Sequence, residues 1–198
     1  MLEFLSSYWL DAFTTLLGLL YIWLEYRAHI ALWVVSVVMP TFDIWLYWSH
    51  GLYGDAGMAM YYTFAAIYGF AVWKFGLRKR GGERRSVEIS HFPLRQVLPA
   101  AIAFFALWGA TYWVLITFTN STVPVADSFT NAMSFVALWA LSRKYAEQWL
   151  LWIVVDVVCC VLYVVKGIPF KAGLYGLYVL IAIAGYIRWL RVMPKPQQ

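Results

Sequence analysis

Two acidic residues stand inside long apolar runs, where a charge is expensive and usually functional. Asp43 lies in Pro40-Thr41-Phe42-Asp43-Ile44-Trp45, and Asp156 ends Trp152-Ile153-Val154-Val155-Asp156. No lysine or arginine occurs at similar depth in either run. Carboxyl groups so placed can hold a cation, bond ribose hydroxyls, or sit protonated against a neighbouring helix. Trp149, Trp152 and Asp156 fall at i, i+3 and i+7, which puts them on one face of a helix. An indole face attracts a cation by ~2 kcal/mol or more when both are desolvated. Two tryptophans beside an acid therefore suit a flat, positively charged ring. The competing role for Trp149, near its helix start, is the interfacial belt or bundle packing.

The elements that position these residues follow from an internal duplication. At an offset of 116 residues, Asp11, Phe13 and Thr14 match Asp127, Phe129 and Thr130. Trp23, Arg27 and Trp33 match Trp139, Arg143 and Trp149, and Leu46-Tyr47 and Gly51 match Leu162-Tyr163 and Gly167. Ala56-Gly57, Tyr62, Ala66-Ile67, Gly69 and Trp73 complete the series against Ala172-Gly173, Tyr178, Ala182-Ile183, Gly185 and Trp189. Small secondary transporters are built from such repeats, with substrate held near the midplane between the halves. The mates Tyr62 and Tyr178, and Tyr47 and Tyr163, are candidates to line a cavity from both sides; lipid-interface tyrosines are the alternative.

Composition sets the class. Of 198 residues, 63% are hydrophobic and 13% charged, far from a soluble domain's ~45–50% and ~25%. Apolar runs predict seven spans at about 7–25, 30–48, 56–77, 96–117, 128–142, 147–165 and 172–190. The start of the chain lacks the basic region of a cleavable signal peptide. With the N-terminus outside, the inner segments hold Arg27, Lys74, Arg78, Lys79, Arg80, Arg84, Arg85, Arg95, Arg143, Lys144, Arg188, Arg191 and Lys195, and the outer ones only Lys166 and Lys171. The net charge of +5 therefore reads as topology rather than as a nucleic-acid patch.

Parity gives the fold class: an all-α integral membrane protein with two parallel three-helix repeats joined by a linker helix, 3+1+3. The expected partition is 1–77 for the first repeat, 78–122 for a basic inner loop plus linker helix, and 123–198 for the second repeat and tail. The stretch 78–95 is expected to be a solvated loop.

Several motifs carry no chemistry. Cys159-Cys160 are adjacent in an apolar helix and bridge poorly. His29, His50 and His91 show neither ligand spacing nor an acidic partner in sequence, so no metal site is expected. No ATP-binding loop occurs, and no nucleophile–base pair suggests an enzyme. No cofactor is implied. The repeated glycines suggest close helix contacts.

The stretch Leu141-Ser142-Arg143-Lys144-Tyr145-Ala146-Glu147-Gln148-Trp149-Leu150-Leu151-Trp152 resembles the inner-loop signature of the PnuC family of nicotinamide riboside transporters. Gly51-Leu52-Tyr53-Gly54-Asp55, Ile67-Tyr68-Gly69-Phe70-Ala71-Val72-Trp73 and Asp127-Ser128 are similar too. The resemblance covers roughly 10–192. It implies a 3+1+3 homotrimer in a bacterial inner membrane. It also implies facilitated diffusion of an unphosphorylated vitamin, trapped afterwards by a separate cytosolic kinase. The family's tryptophan pair carries over to Trp149 and Trp152, and Gln148 in the signature joins the binding set. Asp156 departs from a frequent Asn, Ser36 and Met39 from Gly and Asn, and Gly69-Phe70 from Gly-Trp. Thiamine, another flat cationic heteroaromatic, is the alternative ligand; a sugar permease of the same architecture stands behind it.

Overall fold

The computed structural model describes residues 16–49, 53–78, 84–119, 121–165, 167 and 169–194. Seven helices occur among them: α1 (Leu16–Tyr26), α2 (Ala31–Ser49), α3 (Tyr53–Phe75), α4 (Leu94–Phe118), α5 (Pro124–Ser142), α6 (Gln148–Val165) and α7 (Pro169–Val192). The chain forms two compact units, Met1–Phe70 and Ala71–Gln198. By length and composition, α4, α6 and the Lys171–Val192 stretch of α7 can each cross a membrane.

Local chemistry sets the helix ends. Gly76, at φ 72°, closes α3 with its N–H on the Val72 carbonyl at 2.9 Å. Pro124 opens α5, where its missing N–H costs nothing, and Asp127 lies in the first turn beside the positive helix end. Inside α2, Pro40 removes one backbone donor. Hydroxyls add bonds around it: Ser36 Oγ donates to the Leu32 carbonyl at 2.7 Å and Thr41 Oγ1 to that of Val37 at 2.6 Å.

The duplication is visible in the two helix–helix turns. Between α1 and α2, Ala28 N–H donates to Glu25 O at 2.9 Å and His29 N–H to Leu24 O at 2.9 Å. Between α5 and α6, Lys144 N–H donates to Leu141 O at 2.8 Å and Tyr145 N–H to Ala140 O at 3.0 Å. Both are Schellman caps, with a residue in the left-handed region just past the helix. That residue is Ala28 at φ 50° and its mate Lys144 at φ 54°, neither a glycine. Each turn also holds an arginine over the tryptophan four residues before it, Arg27 over Trp23 at 4.8 Å and Arg143 over Trp139 at 5.8 Å.

Within the second unit, α4 meets α5 and α5 meets α6, which meets α7. No residue of α4 is buried; its contact with α5 runs through Phe104 and Trp108 against Phe129, with Trp108 Nε1 donating to the buried Ser128 hydroxyl at 3.1 Å. Trp73 Nε1 donates to the Ser142 carbonyl at 3.1 Å. On α6, Cys160 Sγ lies 3.3 Å from the Ala172 carbonyl of α7, a packing contact as expected.

The described part of the expected loop, 84–95, carries a strand and contacts to the α5–α6 turn. Leu77–Arg78 (β1) pairs antiparallel with Arg84–Arg85 (β2), Leu77 opposite Arg85 and Arg78 opposite Arg84. Beyond it, Ser90 N–H donates to Lys144 O at 3.1 Å and Ala146 N–H to Ser90 O at 3.0 Å. Glu147 takes the Phe92 N–H on Oε2 at 2.7 Å and faces His91 Nδ1 through Oε1 at 2.7 Å. His91 thus has the acidic partner that its sequence neighbours did not offer. The partner lies 56 residues away, beyond the reach of local spacing. Phe92 completes the strap by packing on Tyr145 and Trp139.

Candidate functional site

Helix α6 is held at its start by the strap and along its length by α5 and α7. Glu147 precedes it, and its carbonyl accepts the Leu150 N–H at 3.0 Å. Beside it, burial lowers the Lys144 ammonium below the ordinary lysine value, with Glu88 acting in the opposite direction. The Lys144 ammonium lies 4.4 Å from the Trp73 ring centroid.

Trp149 is committed to packing. Its ring is 2% exposed and meets the Trp189 ring edge-on at 5.9 Å and 90°. It presses so closely on Gly185 that a Cβ there would meet its ring at 2.7 Å. The mates Trp33 and Gly69 make the same close approach in the first unit. Among the other repeated glycines, Gly57 and Gly173 have open space where a Cβ would stand, and Gly167 takes φ 70° in the α6–α7 turn. Only Gly69 and Gly185 of these described glycines therefore serve close contact.

Trp152 follows one turn later, half-buried, and Asp156 one turn after that, buried at 8% exposure. Asp156 forms no ion pair among the described residues. Gln148 is fully buried at the first position of α6. Its Oε1 and Nε2, and the indole N–H groups of Trp149 and Trp152, meet no hydrogen-bond partner among the described residues. Each such atom costs about 1–3 kcal/mol if left without a partner. Four of them in adjacent turns of one helix are a polar lining that packing alone does not require.

Toward the other end of α6, Tyr163 stacks on Tyr175 at 5.3 Å and 16°, and Tyr175 meets Tyr178 edge-on at 5.7 Å. Lys171 places its ammonium 5.2 Å from the Tyr163 ring. Trp149, Trp152, Asp156, Tyr163, Tyr178 and Gln148 therefore share the α6–α7 pair. Tyr175 is a member that repeat-guided reading missed, because its mate is Ala59. Its spacing of three from Tyr178 was the available signal. Tyr62 lies in the first unit, where its ring meets Tyr61 edge-on at 5.7 Å. The side chains of Asp43 and Tyr47, on α2, lie outside the described residues. Glu25 is buried at 2% exposure at the end of α1.

The nicotinamide riboside transporter PnuC of Escherichia coli (strain K12) is 23% identical over 210 residues, covering 92% of this chain and 85% of that protein. The PnuC of Neisseria mucosa is 24% identical, covering 94% and 74%. The riboflavin/roseoflavin transporter RibM of Streptomyces davaonensis is 26% identical, covering 91% and 84%. A crystal structure of the vitamin B3 transporter PnuC superposes with a TM-score of 0.70 and 24% identity, over 96% of this chain and 83% of that one, so the fold is shared. These are transporters, not enzymes, and the apolar helices agree with a multi-pass membrane protein. The family model for the nicotinamide mononucleotide transporter matches residues 8–191, and the chain belongs to that family, the PnuC transporters.

Proposed function

We propose that the protein takes up nicotinamide riboside by facilitated diffusion across the bacterial inner membrane. The observation that carries this reading is the α6 face on which Trp152 precedes a buried Asp156 that has no ion pair among the described residues. A pyridinium ring can stack on the Trp152 indole for about 2 kcal/mol. The Asp156 carboxylate supplies either the counter-charge or an acceptor for ribose hydroxyls. Trp149, fixed on Gly185 and Trp189, holds α6 in register and closes the site toward the strap. The tyrosines of α6 and α7 line the other end.

The assembly that goes with this reading is a 3+1+3 bundle of seven spans. Its domains are 1–77, 78–122 and 123–198, its repeats run parallel, and its N-terminus lies outside. The protein works as a homotrimer, and a cytosolic kinase traps the imported riboside.

A second reading follows from the likeness to RibM, which carries riboflavin and roseoflavin: a larger, uncharged flavin would stack on the same indole and leave Asp156 a hydrogen-bonding role. Thiamine is a third candidate for the same cationic site. Calorimetric titration of the purified protein with nicotinamide riboside, thiamine and riboflavin separates them. Nicotinamide riboside is expected to bind, and Trp152→Ala to weaken it about 30-fold, the equivalent of ~2 kcal/mol. Riboflavin or thiamine binding with no response to the riboside would move the protein to another branch of the family.

A further inference from the structure

Gln148 and Leu32 occupy the same place in the two copies of the repeat. Each donates its backbone N–H to the carbonyl three residues back, at 3.2 Å to Tyr145 and 3.1 Å to His29. Each is 0% exposed. In the first copy the site holds an aliphatic side chain. In the second it holds a primary amide, with neither Oε1 nor Nε2 bonded among the described residues. The fold therefore accepts leucine at this point, and packing gives no reason for an amide. A buried amide without partners is destabilising, so its presence points to a partner that arrives from outside the chain.

The neighbours narrow the chemistry of that partner. Trp152, at i+4 from Gln148, and Trp149 beside it each bury an indole N–H with no partner among the described residues. An indole only donates, whereas a primary amide donates and accepts. The start of α6 thus offers several donors and one acceptor. The Gln148 amide, with one carbonyl oxygen and one NH2 of its own, is complementary to a neutral group carrying the same pair. We propose that Gln148 is a specificity-determining residue that reads a primary carboxamide on the ligand's ring. Its Oε1 accepts from the ligand NH2 and its Nε2 donates to the ligand carbonyl. A carboxylate in the same place would bring a negative charge against Oε1 and would lose the NH2 donor, so the amidated ring is preferred over its acid. The proposal rests on reading α6 as the ligand site.

The test uses the full-length protein in detergent and three probes: nicotinamide riboside, the riboside with a carboxylate in place of the carboxamide, and the riboside of unsubstituted pyridine. In the wild type, nicotinamide riboside is expected to bind about 10–100-fold more tightly than the unsubstituted riboside. In Gln148→Leu, which installs the residue of the first copy, that advantage should shrink to about threefold or less, because only the carboxamide ligand loses affinity. A merely structural role would weaken all three probes together. Gln148→Met, which keeps the side-chain length, gives the same comparison if the leucine variant does not yield folded protein. A wild-type ratio retained in either variant, or equal weakening of all probes, overturns the proposal and leaves the transport reading standing. Failure of the wild type to bind any riboside overturns both.

Discussion

Gly185→Ala asks whether the Trp149 indole is a fixed wedge. A methyl group there would stand 2.7–2.8 Å from Cε2, Cζ2 and Cη2 of Trp149. That is roughly 1 Å inside ordinary carbon–carbon contact of ~3.5–4.0 Å. The ring has little room to yield, being 2% exposed with its neighbour Trp189 fully buried. Overpacking of this kind costs about 1–3 kcal/mol. Against it stands the gain of about 0.5–1 kcal/mol from replacing a helical glycine with alanine. Gly176, on the same helix, isolates that gain, because a Cβ there meets nothing within 4 Å. The stability difference between Gly185→Ala and Gly176→Ala is then the overpacking alone. At ~3 °C per kcal/mol for a chain of this size, it amounts to roughly 3–9 °C in Tm. Thermal unfolding in detergent, followed by tryptophan fluorescence, measures it. Titration of the same samples shows whether displacing Trp149 also weakens the riboside. Equal melting temperatures for the two variants would refute the wedge.

Two further outcomes are expected. Asp156→Asn should weaken a cationic ligand about tenfold or more and leave riboflavin unchanged, as read by titration; an equal effect on both would show that the carboxylate acts through hydrogen bonding rather than charge. Glu147→Gln removes the charge that faces His91 and Phe92 N–H. It should speed hydrogen exchange at Phe92 while the α6 amides stay protected, and unchanged exchange at Phe92 would argue that the strap is held by its backbone bonds and rings alone.

The helices were legible because apolar runs and turn residues mark them directly: α4, expected at 96–117, spans Leu94–Phe118, and α6, expected at 147–165, spans Gln148–Val165. The repeat was legible as identities, and the matched turns give it a physical basis in the Arg27/Arg143 and Ala28/Lys144 positions. The tryptophan–glycine wedge was legible in principle, since both members of each pair recur at the same offset. It went unread because spacing alone does not show that the consecutive helices α2 and α3, or α6 and α7, touch through those two residues. The strap was out of reach for a different reason: its partners are separated by a whole helix, and nothing local to His91 or Glu147 announces the other. In the candidate site, the Trp152–Asp156 face follows from helical periodicity. The lack of partners for Gln148 among the described residues depends on what surrounds it, which no pattern along the chain records.

The strap also orders events in the making of the protein. Ser90 reaches its partners Lys144 and Ala146 only after α4 and α5 have been synthesised. At ~5–20 residues per second, the roughly 55 intervening residues take about 3–11 s. During that interval the residues from Ser90 to Phe92 have no binding site, and α4 enters the membrane without its anchor. The arrival of Glu147 therefore times the docking. The segment leading into α4 becomes fixed only once the helix that carries the tryptophan pair has begun to emerge.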